Sequence, residues 1–214
     1  MTTVFLIRHG ETEWNQQGIH QGHMDSPLTT HGESQARRLG ERFRSAGISF
    51  DSVYASDLGR AKQTVEAICT PIEQTADIQW EPRLRERALG VLEGLTYPQI
   101  KEKMPEDHRQ HTSGDPDYRP DGGESWRDLF QRATTTLEDL AGKHGGERIL
   151  CVTHGGVVSM AMRHCLGIEL ATPRQFHIAN SALNILEWQD QLWRLRTWGD
   201  TAHLEGETTL DEML

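Results

Sequence analysis

Apolar positions along the chain follow two patterns. Three short unbroken runs, Val4–Ile7, Val53–Ala55 and Ile149–Val152, are bounded by polar residues. Continuous runs of this length suit strands of a parallel sheet covered on both faces. Between them the apolar spacing changes to about 3.6 residues, the period of a helix with one buried face. Ala36, Leu39, Phe43 and Ala46 mark one helix, with Thr30 and Glu33 placed as a capping box at its start. Ala61, Val65 and Ile68 mark a second, and Trp126, Leu129, Phe130, Ala133, Leu137 and Leu140 a longer third. The run from Val157 to Leu166 is apolar on nearly every side, which predicts a helix buried in the fold. Segments 182–188 and 191–198 alternate around Gln189-Asp190 and predict a hairpin at a sheet edge. The stretch 104–123 mixes Pro105, Pro116, Pro120 and three glycines with many charges, and is expected to be a long loop. Alternating strands and helices predict an α/β sandwich over 1–199, a single domain, followed by an acidic tail at 200–214.

Charge narrows the choice of partners. The 214 residues carry 22 basic and 32 acidic side chains, a net of −10, which argues against nucleic acid and anionic membrane surfaces. The tail 200–214 holds five of the acidic residues and no Lys or Arg. Four of the basic residues are Lys and 18 are Arg, the side chain whose planar fork grips phosphate or carboxylate through two hydrogen bonds. Cys69, Cys151 and Cys165 sit among apolar neighbours without zinc-like spacing and are expected as buried free thiols. The run Val4–Ile7 meets Arg8 at once, too short for a signal peptide, and no stretch approaches a membrane span. A reducing cytoplasm is the expected compartment.

Each predicted strand runs into a polar constellation: Arg8-His9-Gly10, then Ser56-Asp57-Leu58-Gly59-Arg60, then Thr153-His154-Gly155-Gly156. In open α/β sheets ligands bind beyond the carboxyl ends of strands. Three such ends would bring together two Arg, two His and a glycine-rich helix start, a set that asks for an anion and above all for phosphate. Glu11, Glu81, Glu86, Glu93 and Glu124 are all carboxylates that could act as acid or base there, and spacing does not choose among them. Of the 11 histidines, His20 with His23 and His108 with His111 are three apart, yet neither pair has a third ligand at fixed spacing, so no metal is expected. Arg85 and Arg87 flank Glu86, placed either to hold its carboxyl or to meet a substrate carboxylate.

These motifs resemble a known family. LIRHGETEWN at 6–15, Gln21-Gly22, DSPLT at 25–29, SDLGRAKQT at 56–64, the LRER..LG..EGLT pattern at 84–96, GGES at 122–125 and VTHGG at 152–156 are similar to the histidine phosphatase superfamily, in its phosphoglycerate-mutase-like branch. The resemblance covers most of 4–198 in the family's order. It implies a three-layer α/β/α sandwich with a mostly parallel central sheet, and the roles of named residues. His9 matches the nucleophile and Glu86 the general acid and base. Arg8, Arg60 and His154 match groups that bind the phosphoryl oxygens. Asn15, Gln21, Gly22, Arg87, Glu124, Ser125 and Gly155 match substrate-side positions, and 95–123 matches a substrate-side loop or cap. Leu92 stands where the family often has an aromatic, a departure expected to touch packing.

The implied activity is hydrolysis of a small phosphorylated metabolite through a phosphohistidine, with no cofactor. A 2,3-bisphosphoglycerate-dependent mutase is the first alternative. Family mutases carry an adjacent Arg pair in a longer segment after the general acid, whereas 95–123 holds only Arg109 and Arg119, far apart among prolines. A non-catalytic phospho-ligand binder is the second alternative, disfavoured because all five catalytic-type residues are present. The apolar edge strands at 182–198 could pair in a homodimer or be covered by the tail.

Overall fold

The computed structural model describes residues 1–74 and 77–205. Six strands form one sheet: β1 (Thr2–Arg8), β2 (Ser52–Ala55), β3 (Ile78–Trp80), β4 (Arg148–Thr153), β5 (Leu183–Gln189) and β6 (Leu192–Asp200), in the order β3-β2-β4-β1-β5-β6. The first four neighbours run parallel, while β5 is antiparallel to β1 and β6 to β5. Helices among the described residues are α1 (Glu13–Gln17), α2 (Thr30–Ser45), α3 (Gly59–Cys69), α4 (Tyr97–Lys103), α5 (Pro105–His111), α6 (Trp126–Lys143) and α7 (Gly155–Leu166).

The three apolar runs are the interior parallel strands, and their side chains alternate between two cores. Phe5, Ile7, Val53, Ala55, Leu150 and Val152 pack on α2 and α3, through Leu39, Phe43, Val65 and Ile68 among others. Val4, Leu6, Tyr54, Ile149 and Cys151 pack on the other side with α6 and α7, through Leu129, Leu137 and Val157. Both faces need apolar cover, so the strands read as unbroken runs. In α7 every residue from Gly155 to Arg163 is buried, matching its all-round apolar pattern. The predicted hairpin is the β5–β6 pair, with β6 at the sheet edge.

Four expectations need correction or completion. The helix marked by Ala36, Leu39 and Phe43 is α2, and it is capped by Thr29, whose side chain accepts from the Gly32 N–H, and not by Thr30 with Glu33. Leu28 is still bridged to Thr12, so the chain stays extended one residue before the cap. The expected loop within 95–123 contains α4 and α5. Thr96 caps α4 in a box with Gln99, and Pro98 and Pro105 occupy first turns, where proline has no helical N–H to lose. β3 went unforeseen because an edge strand of three residues with exposed Gln79 and Trp80 has no apolar run. Asp200 closes β6 and pairs with Arg42 at 2.5 Å, while Leu204 is buried, so 200–205 pack on the body; residues 206–214 of the expected tail lie outside the described residues. Cys69 and Cys151 are buried and Cys165 is half-buried, all three free. Among the described residues no helix is long and apolar enough to cross a membrane.

Candidate active site

The parallel strands β1, β2 and β4 end side by side. The His9 N–H donates to the Thr153 carbonyl at 2.9 Å and the Ser56 N–H to the Val152 carbonyl at 3.0 Å, which locks the three strand ends together. A cavity of about 270 Å³ opens there. Of the residues singled out from the sequence, Arg8, His9, Asn15, Gln21, Gly22, Arg60, Glu86 and Arg87 line it.

His9 is 2 % exposed. Its Nδ1 lies 2.8 Å from the Gly10 carbonyl. A carbonyl only accepts, so Nδ1 carries the proton and the lone pair of the neutral ring resides on Nε2. Burial first, then the charges of Arg60 and Arg8, hold the imidazole well below its ordinary pKa. His154 is fully buried beside it, with ring centroids 5.3 Å apart, and does not itself line the cavity. Burial, then Arg60, also keeps His154 neutral. Its Nε2 is 2.8 Å from Ser56 Oγ. Ser56 Oγ also accepts from the Leu58 N–H at 3.4 Å.

The arginines are held by carbonyls. Arg8 Nη1 donates to Ile178 O at 2.6 Å. Arg60 donates through Nη1 to Met24 O at 2.9 Å and through Nη2 to Gly22 O at 2.8 Å. Asp25 ion-pairs with Arg60 at 3.1 Å and also accepts the Gly59 and Arg60 backbone N–H groups at the start of α3. Asp25 was quoted only as part of DSPLT; its capping of α3 depends on a contact 34 residues away that local pattern does not show.

Glu86 is the carboxylate at the cavity. Its Oε1 accepts from the Arg87 N–H at 2.7 Å and its Oε2 from the Gly156 N–H at 2.9 Å. The four competitors are engaged elsewhere. Glu11 accepts from Gln16 and Thr29, Glu81 pairs with Arg83, Glu93 accepts the His23 and Leu89 N–H groups, and Glu124 pairs with Arg132 at 2.6 Å. Glu124 also accepts the Ala88 N–H, and Ser125 caps α6 in a box with Asp128. Both therefore brace the wall from behind and do not line the cavity; Gly155 is likewise buried at the start of α7, and Gly156 lines the cavity in its place. Arg85 pairs with Asp57 at 2.5 Å and turns away. Asn15 closes the capping box of α1, Gln21 donates to Thr12 Oγ1 at 2.8 Å, and Leu92 packs in a small cluster with Leu89 and Ile100.

The far end of the cavity is aromatic and basic. Arg87 is 2 % exposed, lies 3.9 Å over the Trp126 ring, and contacts His111 Nδ1 through Nη2 at 3.2 Å. Burial brings the Arg87 pKa down to about 10. Burial, then the Arg87 charge, brings His111 down to about 3. His20 packs against Tyr97 and His111, and His23 Nε2 donates to the Glu86 carbonyl, so His20 and His111 serve as wall and His23 as brace. Chemically the cavity offers a lone-pair imidazole nitrogen, the guanidinium groups of Arg8 and Arg60 with that of Arg87 at the far end, and a carboxyl held by two amides, around a space that fits a compact anion.

The profile of the histidine phosphatase superfamily (branch 1) matches residues 4–201. The chain is 37 % identical over 218 residues to the probable phosphoglycerate mutase GpmB of Salmonella paratyphi B, covering 100 % of this chain and 99 % of that one. Among solved structures, Bacillus stearothermophilus YhfR superposes with a TM-score of 0.89 at 32 % identity, covering 96 % of this chain and 100 % of that one. The phosphoserine phosphatase of Entamoeba histolytica, in complex with 3-phosphoglyceric acid, superposes with a TM-score of 0.83 at 27 % identity, covering 95 % of this chain and 100 % of that one.

Proposed function

The chain belongs to branch 1 of the histidine phosphatase superfamily, and on that footing we propose that it hydrolyses a small phosphomonoester through a phosphohistidine on His9. The observation that carries this reading is the state of His9, neutral between two arginines with its Nδ1 proton held by Gly10 O. Nε2 attacks phosphorus in line, forming the N–P bond as the ester P–O bond breaks. Arg8 and Arg60 take the charge on the phosphoryl oxygens, and His154, buried directly behind His9, matches the family's second phosphoryl-binding histidine. In a loose phosphoryl-transfer transition state such positioning and neutralisation supply most of the acceleration. Glu86 passes a proton to the departing alkoxide, and as a carboxylate then takes one from the water that cleaves the phosphohistidine.

One observation favours hydrolysis over mutase chemistry. A mutase must hold its substrate carboxylate and keep water from the intermediate. Arg109 is exposed and paired with Glu106, Arg119 is exposed and paired with Asp128, and neither lines the cavity, so the adjacent Arg pair of family mutases is missing from it and Arg87 stands at its far end without a second arginine beside it. The mutase name of the Salmonella relative supports the second reading, a phosphoglycerate mutase using the same phosphohistidine. Incubation with 3-phosphoglycerate separates the two. Release of inorganic phosphate without 2-phosphoglycerate is expected, and efficient isomerisation dependent on 2,3-bisphosphoglycerate would overturn the choice. Activity of His9→Ala at the wild-type rate would refute both, and a protein that binds phosphomonoesters without turning any over would be a binder only.

A further inference from the structure

A second cavity, about 450 Å³, adjoins the first. Tyr97, His111 and Trp126 line both and form the wall between them. Two sides of that wall are lightly held: α5, which carries His111, buries no residue, and α4, which carries Tyr97, buries only Ile100, whereas Trp126 packs on the core from the start of α6. The second cavity is basic. Arg163 and Arg174 line it together with Thr172, Met160 and Leu170, and among the described residues no Asp or Glu does, in a chain of net charge −10. Arg163 donates to the carbonyls of Glu169 at 2.6 Å and Thr172 at 2.8 Å, which fixes the loop that presents Arg174.

A third cation stands on the near side of the wall. Arg87 is stacked on Trp126 and bonded to His111, yet its Nε and Nη1 have no protein partner and it makes no ion pair among the described residues. Buried guanidinium N–H groups left unpaired are costly, and Nε and Nη1 are two donors that an acceptor on a ligand would satisfy. The charges that act on His9 are those of Arg60 and Arg8, whereas Arg87 acts on His111, so this third cation belongs to the far end of the site.

We propose that the two cavities form one elongated substrate site, in which the second cavity takes a distal anionic group of the substrate past the Tyr97–His111–Trp126 wall. The substrate class is then a phosphomonoester bearing a second anion, carboxylate or phosphate, at the end of an extended apolar or planar spacer. This rests on the phosphatase reading and narrows it. The cavity nearer His9 is slightly smaller than the roughly 300–1,000 Å³ common for ligand sites, and the pair lies inside that range.

The test uses ω-phosphoryloxy alkanoates with spacers of two to eight methylenes, with p-nitrophenyl phosphate as a probe that has no distal anion. The expected result is a rise in kcat/KM of about tenfold at the spacer length that reaches Arg174. Arg174→Glu and Ala171→Trp, one reversing the charge and one filling the second cavity, should abolish the rise and leave p-nitrophenyl phosphate turnover within about twofold. A flat profile, or a rise that survives both substitutions, would overturn the proposal. Failure to hydrolyse any of these esters would instead refute the phosphatase reading. Calorimetric binding of the same series to the wild-type and Arg174→Glu proteins then decides the subsite alone: a length optimum lost on charge reversal supports it, and its absence overturns it.

Discussion

Replacing Gly156 by Ala tests the placement of Glu86. The Gly156 N–H donates to Glu86 Oε2 at 2.9 Å. A Cβ at this position would stand 2.1 Å from Glu86 Oε1 and 2.9 Å from Leu129 Cδ2. Comfortable contacts lie near 3.5 Å, so the carboxyl must retreat by roughly 1 to 1.5 Å. A misplacement of about 1 Å in a reacting group costs on the order of 100-fold, or about 2.7 kcal/mol of barrier. Stability should change little. Ala is favoured over Gly in a helix by about 1 kcal/mol, while overpacking costs about 1 to 3 kcal/mol. The net is a loss of about 0 to 2 kcal/mol and a Tm lower by less than about 8 °C. The assay is rapid-quench measurement of enzyme phosphorylation by an alkyl phosphate and by p-nitrophenyl phosphate. An alkoxide needs a proton to leave and nitrophenolate does not, so Gly156→Ala should slow the first by about 100-fold and the second by less than about tenfold. Equal losses with the two esters, or phosphorylation by the alkyl ester within twofold of wild type, would refute Glu86 as the acid.

Asp25→Asn keeps a capping side chain on α3 and removes the charge facing Arg60. Stability should hold within about 0.5 kcal/mol while kcat/KM falls about tenfold, and Asp25→Ala should cost about a further 1 kcal/mol in urea unfolding. Hydrogen bonds from Arg42 hold the Asp200 carboxyl down to about 2, against about 3.9 in an unfolded chain. This lowered value means stability fully present above about pH 4 and lost as pH falls toward 2. With both side chains about a third exposed, Asp200→Asn should cost about 1 kcal/mol at pH 7, a gap that narrows between pH 4 and 2. The buried histidines act in a higher window. His9, His154 and His111 stay neutral in the fold where the unfolded chain protonates near pH 6.5. Unfolding free energy should therefore fall with pH below about 6.5, by up to about 1.4 kcal/mol per unit for each of them. The slope should be shallower by up to one proton in His111→Gln, and flat stability between pH 6.5 and 5 would contradict neutral burial.

The sheet was legible because parallel strands buried on both faces leave an apolar run in sequence, and β1, β2 and β4 each do so. Site residues at strand ends were legible for the same reason: once the strands are placed, Arg8-His9, Ser56 and His154 follow at their termini. The choice of Glu86 among five carboxylates needed family resemblance, because its position depends on amides of Arg87 and Gly156, the latter 70 residues away. α5 was hidden because Pro105, read as a breaker, occupies its first turn, and the seven-residue α4 buries only Ile100 and so leaves no apolar stripe. Glu124 and Ser125 matched site positions by motif, yet one braces Arg132 and the other caps α6; the motif marks a segment that builds the wall without facing the cavity. The basic second cavity had no sequence signal, since Arg163 and Arg174 meet Trp126 and His111 only through tertiary packing.

In the proposed mechanism His9 attacks through Nε2 while Gly10 O holds the Nδ1 proton. Acid-labile, base-stable phosphoenzyme, trapped at early turnover and examined by phosphorus NMR and peptide mass spectrometry, tests it directly. One phosphoryl group is expected, on His9, at Nε2, absent from His9→Ala. A phosphoryl group on Nδ1 or on another residue, or phosphatase turnover with no phosphoenzyme formed, would contradict it.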